Sequence, residues 1–161
     1  MDARSALAAL DALGIRYEYF EHPPVFTAEE AEVHWAPIDG VPCKNLFLRN
    51  KKGNRHYLVV VEISKRVDLR QLVQQLGDDR LSFGSADRLM ATLGLTPGSV
   101  SPLGLINDRD AAVHVVVDDD LRGRDRLIFH PNVNTASVTI SFADLERFLQ
   151  ARGNRVTFLK I

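Results

Sequence analysis

Three short segments carry residue types that can do chemistry together. Lys44 opens the run Lys44-Asn45-Leu46-Phe47-Leu48, which sets an ammonium and a carboxamide at the mouth of an apolar strand. Gly98-Ser99-Val100-Ser101-Pro102 is a tight connection with a flexible start and a fixed end, so its backbone N–H and C=O groups can be held around a small polar head group. Phe129-His130-Pro131-Asn132 places an imidazole beside a strand end, where Pro131 stops the ladder. A long cation, a rigid loop and a histidine suit an anionic, carbonyl-bearing substrate. Each is ordinary when alone: lysines at strand ends are commonly just solvated, and glycine-to-proline turns are frequent.

Other chemistries find less support. His22, His34, His56, His114 and His130 show no paired ligand spacing and Cys43 has no partner thiol, so no metal site is expected. Asp118-Asp119-Asp120 lacks the spaced oxygens and glycine of a calcium loop; it reads as a solvated turn and helix N-terminus. There is no Gly-rich phosphate loop and no Gly-x-Ser-x-Gly elbow. Cys43 stands beside an ammonium that can lower a thiol pKa. A small buried residue at a strand start is the simpler role. His22, before two prolines, reads as structural.

The elements that must position these residues are legible in part. Leu7, Leu10 and Leu13 predict a helix over 3–13 that stops at Gly14. Ile15, Tyr17 and Tyr19 alternate as a strand, broken by His22-Pro23-Pro24. Thr27-Ala28-Glu29-Glu30 fits a capping box, so a short helix should follow. Pro37, Gly40 and Pro42 mark a loop. Residues 44–50 and 55–63 form a hairpin around Asn50 to Asn54. Asp68 and Gln71 open a helix ending at Gly77, and Ser85 one ending at Gly94. Strands are expected over 113–117, 127–129, 137–140 and 156–159, with a helix from Ser141 to Gly153 before the last. Alternating helices and strands around an antiparallel hairpin predict a mixed sheet with helices packed on it, α/β (α+β) in class.

At 161 residues with 45% apolar and 25% charged composition, the chain 1–161 is expected to be a single domain. No apolar run approaches the ~20 residues of a membrane span, and the stretch carrying Asp2 and Asp11 does not read as a cleavable leader. One cysteine suits a reducing compartment, so a cytoplasmic location is expected. A net charge of −1 gives no global pull toward nucleic acid. Local patches at Arg49, Lys51, Lys52 and Arg55, at Lys65-Arg66, and at Arg122, Arg124 and Arg126 can serve a short RNA end or be solvated turns.

The segments Pro42 to Leu48 and Thr96 to Pro102, with His130, resemble those of the YbaK-like aminoacyl-tRNA deacylases, relatives of the editing domain of bacterial prolyl-tRNA synthetase. The likeness runs from about Ala6 to the C-terminus. It implies a central mixed sheet flanked by helices, and a hydrolase in which Lys44 is the residue deacylation depends on. It further implies that Gly98, Ser99, Val100, Ser101 and Pro102 shape the aminoacyl pocket and that Asn45 holds the aminoacyl group. His130 is implied to be a positioning residue at the pocket, and Val25, Phe26 and Thr27 a pocket wall, a role compatible with a hydrophobic staple and helix cap. Phe129 can limit pocket depth or belong to the core. Asn45, where other branches tend to carry threonine, favours the freestanding alanyl-tRNA(Pro) deacylases.

The expected reaction is therefore hydrolysis of the ester joining alanine to the terminal adenosine of tRNA(Pro), with Lys44 at the oxyanion or at the terminal phosphate. No metal or nucleotide cofactor and no membrane contact are implied. The expected partner is the acceptor end of tRNA(Pro), with transient contact to prolyl-tRNA synthetase or elongation factor. The alternatives are another small amino acid, as in Cys-tRNA(Pro), and a non-hydrolytic module that binds the tRNA end or a synthetase.

Overall fold

Val59, Val60 and Val61 are all fully buried, and so are Val115, Val116 and Val117. Consecutive burial of this kind belongs to strands covered on both faces. The structure is a computed structural model describing residues 3–161; Asp2 lies outside the described residues. Around those strands run helices α1 (Arg4–Ala12), α2 (Ala28–Trp35), α3 (Leu69–Leu76), α4 (Ala86–Leu93) and α5 (Phe142–Arg152). The strands are β1 (Glu18–Glu21), β2 (Val41–Asn50), β3 (His56–Glu62), β4 (Leu81–Phe83), β5 (His114–Asp118), β6 (Leu127–Phe129), β7 (Ala136–Ile140) and β8 (Val156–Leu159). They form a mixed sheet in the order β1-β7-β6-β2-β3-β5-β8, with β4 paired to β2 off that path.

The local signals work as expected where they are self-contained. Asp68, Ser85 and Ser141 each accept backbone N–H bonds at a helix start, and Gly77, Gly94 and Gly153 close those helices in the left-handed conformation. Thr27 Oγ1 accepts the Glu30 N–H, while the Glu30 carboxylate reaches one residue beyond the usual box to the Phe26 N–H. The hairpin pairs Cys43 with Glu62 through Arg49 with His56.

Other boundaries move for identifiable reasons. Ile15 does not begin a strand, because its N–H bonds back to the Leu10 carbonyl and that of Gly14 to Asp11. That Schellman closure uses the amide a strand would need, and β1 starts at Glu18. β2 begins at Val41 and so contains Pro42. Proline is tolerated there because it sits one residue beyond the first hairpin pair, where its carbonyl accepts from Ile63 N–H and no return donor is required. β4 was not expected at all; its three residues are too short to carry a periodicity. Asp118 is not solvated. It is fully buried, paired with Lys65 at 2.6 Å, and it accepts the Asp120 N–H. Lys65, expected in a basic patch, is committed to Asp118, to Asp120 at 2.5 Å and to the Ile161 carbonyl.

One sheet face and its helices build the main core, which includes Leu10, Phe47, Leu93, Phe129 and Phe148. α3 covers a second cluster on the other face. A third, smaller cluster gathers Val25, Ala31, Trp35 and Ile128 beneath α2.

Candidate active site

The site grows from a break in strand pairing. β2 runs parallel to β6 for two residues, Val41 with Leu127 and Pro42 with Ile128, and pairs with β4 from Leu48 onward. Between those contacts, the edge of β2 around Lys44 and Asn45 faces loops instead of a strand. On this edge Val41 N–H donates to the Arg126 carbonyl and the Phe47 carbonyl accepts from Gly84 N–H. Strand alternation therefore aims the Asn45 backbone N–H and carbonyl into the same gap.

Two segments close over the gap. A 3-10 turn, Pro97–Ser99, comes from one side, and the Asn45 amide approaches the Val100 carbonyl at 3.4 Å. From the other side come Val25 to Thr27 and α2, which turns Ala31 and Trp35, one helical turn apart, toward the cleft. The Asn134 amide holds the Val25 carbonyl at 3.0 Å. The result is a cavity of about 200 Å³ lined by Val25, Phe26, Thr27, Lys44, Asn45, Gly98, Val100 and His130, all expected from sequence. Ala31, Trp35, Cys43, Ile63 and Pro97 line it as well. Ala31, Trp35 and Ile63 had not been expected there. The i, i+4 spacing of Ala31 and the single tryptophan was the one available signal.

Lys44 is half-buried, and its side chain makes no ion pair or hydrogen bond with any described residue. The Asn45 Oδ1 is fully buried and lacks a partner among the described residues. An acceptor left that way costs about 1–3 kcal/mol, which makes sense if a donor arrives with the substrate. His130 pairs Nδ1 with the Ala136 carbonyl at 3.0 Å, so the proton sits on Nδ1 and Nε2 keeps its lone pair. Burial pulls its pKa down; the Ala136 carbonyl opposes this and His22 reinforces it. The ring is neutral at pH 7.

A hydroxyl network fixes the wall beside it. Trp35 Nε1–H donates to Ser137 Oγ at 2.6 Å, and His22 Nε2 meets the same oxygen at 2.8 Å. His22 Nδ1 donates to the Pro23 carbonyl, so the serine proton must go to Nε2. The Trp35 indole, 4% exposed, is thereby locked against His130, with ring centres 5.3 Å apart. The structural role read for His22 is this support.

Four expected site residues stand elsewhere. Ser99, Ser101 and Pro102 are buried behind the loop, and Ser101 Oγ accepts the Leu103 N–H to start a second 3-10 turn, Pro102–Asn107. They shape the loop without facing the cavity. Gly98 has no left-handed backbone requirement; a Cβ there would meet Asn134 Nδ2 at 3.6 Å and the Val25 carbonyl at 3.8 Å. Its contribution is space at the mouth. Phe129 is not a cavity wall. Leu127 and Phe129 point into the main core, whereas Ile128 between them joins the cluster with Val25 and Trp35. Phe129→Leu should therefore lower stability by roughly 1–2 kcal/mol and leave the cavity's size selectivity unchanged. Thermal denaturation, beside relative kcat/KM for substrates of different size, checks both. Cys43 is 3% exposed, and burial, with Glu62 nearby, pushes its thiol pKa far up, so it is no thiolate at neutral pH.

Fold and site together define a mixed α/β domain whose small pocket gathers an ammonium and an amide oxygen without partners among the described residues, and a neutral imidazole. Residues 22–148 match the aminoacyl-tRNA editing domain, and the chain belongs to that family. It is similar to the prolyl-tRNA editing protein ProX of Acetoanaerobium sticklandii, 47% identical and covering 96% of this chain and 94% of that one. The prolyl-tRNA synthetase associated domain-containing protein 1 of Mus musculus is 36% identical, covering 90% and 88%. A crystal structure described as a candidate trans-editing enzyme for prolyl-tRNA synthetase superposes with a TM-score of 0.75 at 23% identity, covering 99% of this chain and 96% of that one. The family and the fold class implied by the Lys44 motif are both borne out.

Proposed function

We propose that this protein hydrolyses the aminoacyl ester of mischarged Ala-tRNA(Pro), acting in trans on the acceptor end. The observation that carries the reading is the juxtaposition, in a member of the editing family, of the Lys44 ammonium and the Asn45 Oδ1 in one small cavity, both without partners among the described residues. The ester is already activated, so orientation, a water and charge stabilisation at the carbonyl suffice. Asn45 Oδ1 accepts from the substrate α-ammonium. Lys44 meets the developing oxyanion or the terminal phosphate. The lone pair of His130 Nε2 receives a hydrogen bond from the water or the ribose, which makes it a positioning residue.

Size supplies selectivity. A cavity of about 200 Å³ is smaller than the ~300–1,000 Å³ of most small-molecule sites. A synthetase pocket rejects a smaller amino acid by only about 1–3 kcal/mol per missing methylene, so a second, smaller sieve adds discrimination. The ProX relative is named a prolyl-tRNA editing protein, which supports tRNA(Pro) as substrate. Prolyl-tRNA synthetase or elongation factor is then the natural transient partner, and the cytoplasm the natural location. No helix among the described residues is long and apolar enough to cross a membrane.

Purified protein should release alanine from Ala-tRNA(Pro) while sparing Pro-tRNA(Pro) at the same enzyme concentration. Preferential release of cysteine in the same assay would move the target to Cys-tRNA(Pro). Tight binding of every charged tRNA without release would favour a binding module.

A further inference from the structure

Phe26 is 75% exposed, while its neighbour Val25 is 3% exposed. Both line the same cavity, so the chain passes from the pocket's inner wall to its rim within one residue. The backbone there is held on both sides. Phe26 N–H donates to Glu30 Oε2 at 2.9 Å, Thr27 caps α2, and the Val25 carbonyl takes the Asn134 amide. A large aromatic ring presented to solvent from a clamped backbone has no packing role in the domain itself. A wall for the aminoacyl side chain would be enclosed, as Val25 and Trp35 are.

We propose that Phe26 is the stacking platform for the terminal base of the tRNA. This rests on the aminoacyl-ester reading of the cavity. With the ester inside, the ribose occupies the mouth, and the base attached to that ribose must lie on the rim. Aromatic side chains hold unpaired nucleic-acid ends by offering a face to the base, and because every base has a π-face the contact is tolerant of sequence. Such stacking also suits a chain whose net charge of −1 offers little general attraction to phosphate. The opposite edge of the mouth is Gly98, where an added Cβ would lie 4.0 Å from the Phe26 ring, so the glycine leaves the face beside the loop open.

The experiment compares Phe26→Ala and Phe26→Trp with the unaltered protein on Ala-tRNA(Pro) and on alanine methyl ester, which has no base. Binding of a non-hydrolysable 3′-alanylamido-adenosine and of alaninamide is measured alongside. Phe26→Ala should raise KM for Ala-tRNA(Pro) and weaken the adenosine analogue by about tenfold, within the range that one stacked base is worth. The methyl ester and alaninamide should lose far less, and Phe26→Trp should retain wild-type behaviour. Equal losses with and without the base would make Phe26 a pocket wall and overturn the proposal, as would no change with any ligand. Absence of turnover by the unaltered protein, with analogue binding still weakened by Phe26→Ala, would defeat the hydrolytic reading and leave the platform standing.

Discussion

Lys44→Ala is expected to give a folded protein that has lost on the order of a hundredfold or more in kcat/KM, the scale set by removing one preorganised charge-stabilising group. Folding should survive because Lys44 is half-buried and its side chain bonds to no described residue, so its removal strands no buried partner. The apolar part of its stem accounts for a small stability change. How the loss divides decides which role the ammonium has. An oxyanion contact exists only in the transition state, so its removal lowers kcat; a contact to the terminal phosphate is made equally in ground and transition states and raises KM. Lys44→Arg should not restore activity, because a planar guanidinium does not replace a compact ammonium in so small a cavity. Steady-state kinetics on Ala-tRNA(Pro), with circular dichroism to confirm folding, provide the check. Near-wild-type turnover by Lys44→Ala would remove Lys44 from the mechanism altogether.

The largest stability effect is expected far from that cavity. Lys65 holds the buried Asp118 carboxylate at 2.6 Å and ties it to Asp120 and the Ile161 carbonyl. Removing one partner of a buried ion pair is costly because the other charge remains in a poorly solvated place. Asp118 retains the Asp120 and Ile161 N–H donors, which cushion the loss. Lys65→Met should therefore cost about 3 kcal/mol, the lower end of the range for broken buried pairs, and depress Tm by roughly 6–12 °C for a chain of this size. Burial by itself would lower the Lys65 pKa, but the two carboxylates raise it overall. A lysine whose folded pKa is raised stabilises fully below its unfolded value and loses that contribution as pH rises through the folded pKa. The gap between Lys65→Met and wild type should thus be constant near neutrality and narrow only in alkali, beyond the ordinary lysine pKa of 10.5. Denaturant titrations at pH 7 and above pH 10 measure it. Turnover of Ala-tRNA(Pro) at temperatures where both proteins are folded should be unchanged, since β5 and the C-terminus lie outside the cavity lining.

The sequence by itself determined what a few neighbouring residues can decide. Helix starts at Thr27, Asp68, Ser85 and Ser141 and stops at Gly77, Gly94 and Gly153 depend on backbone groups within one turn, so local chemistry suffices to place them. The apolar stretch at 113–117 suited a buried strand, and the motif around Lys44 pointed to the family. Tertiary structure decided which faces and which distant partners those elements meet. Period-two alternation separates Ile128 from Phe129 but does not say which of them faces the cavity; the pairing of β6 between β2 and β7 does, and it sends Phe129 into the core. Trp35 is locked by a serine 102 residues away, and Asp118 is buried against a lysine from another loop. Nothing in the spacing of those residues encodes the contact. The cavity itself depends on β2 leaving β6 before it reaches β4, a gap between two pairings that exists only once the whole sheet has assembled.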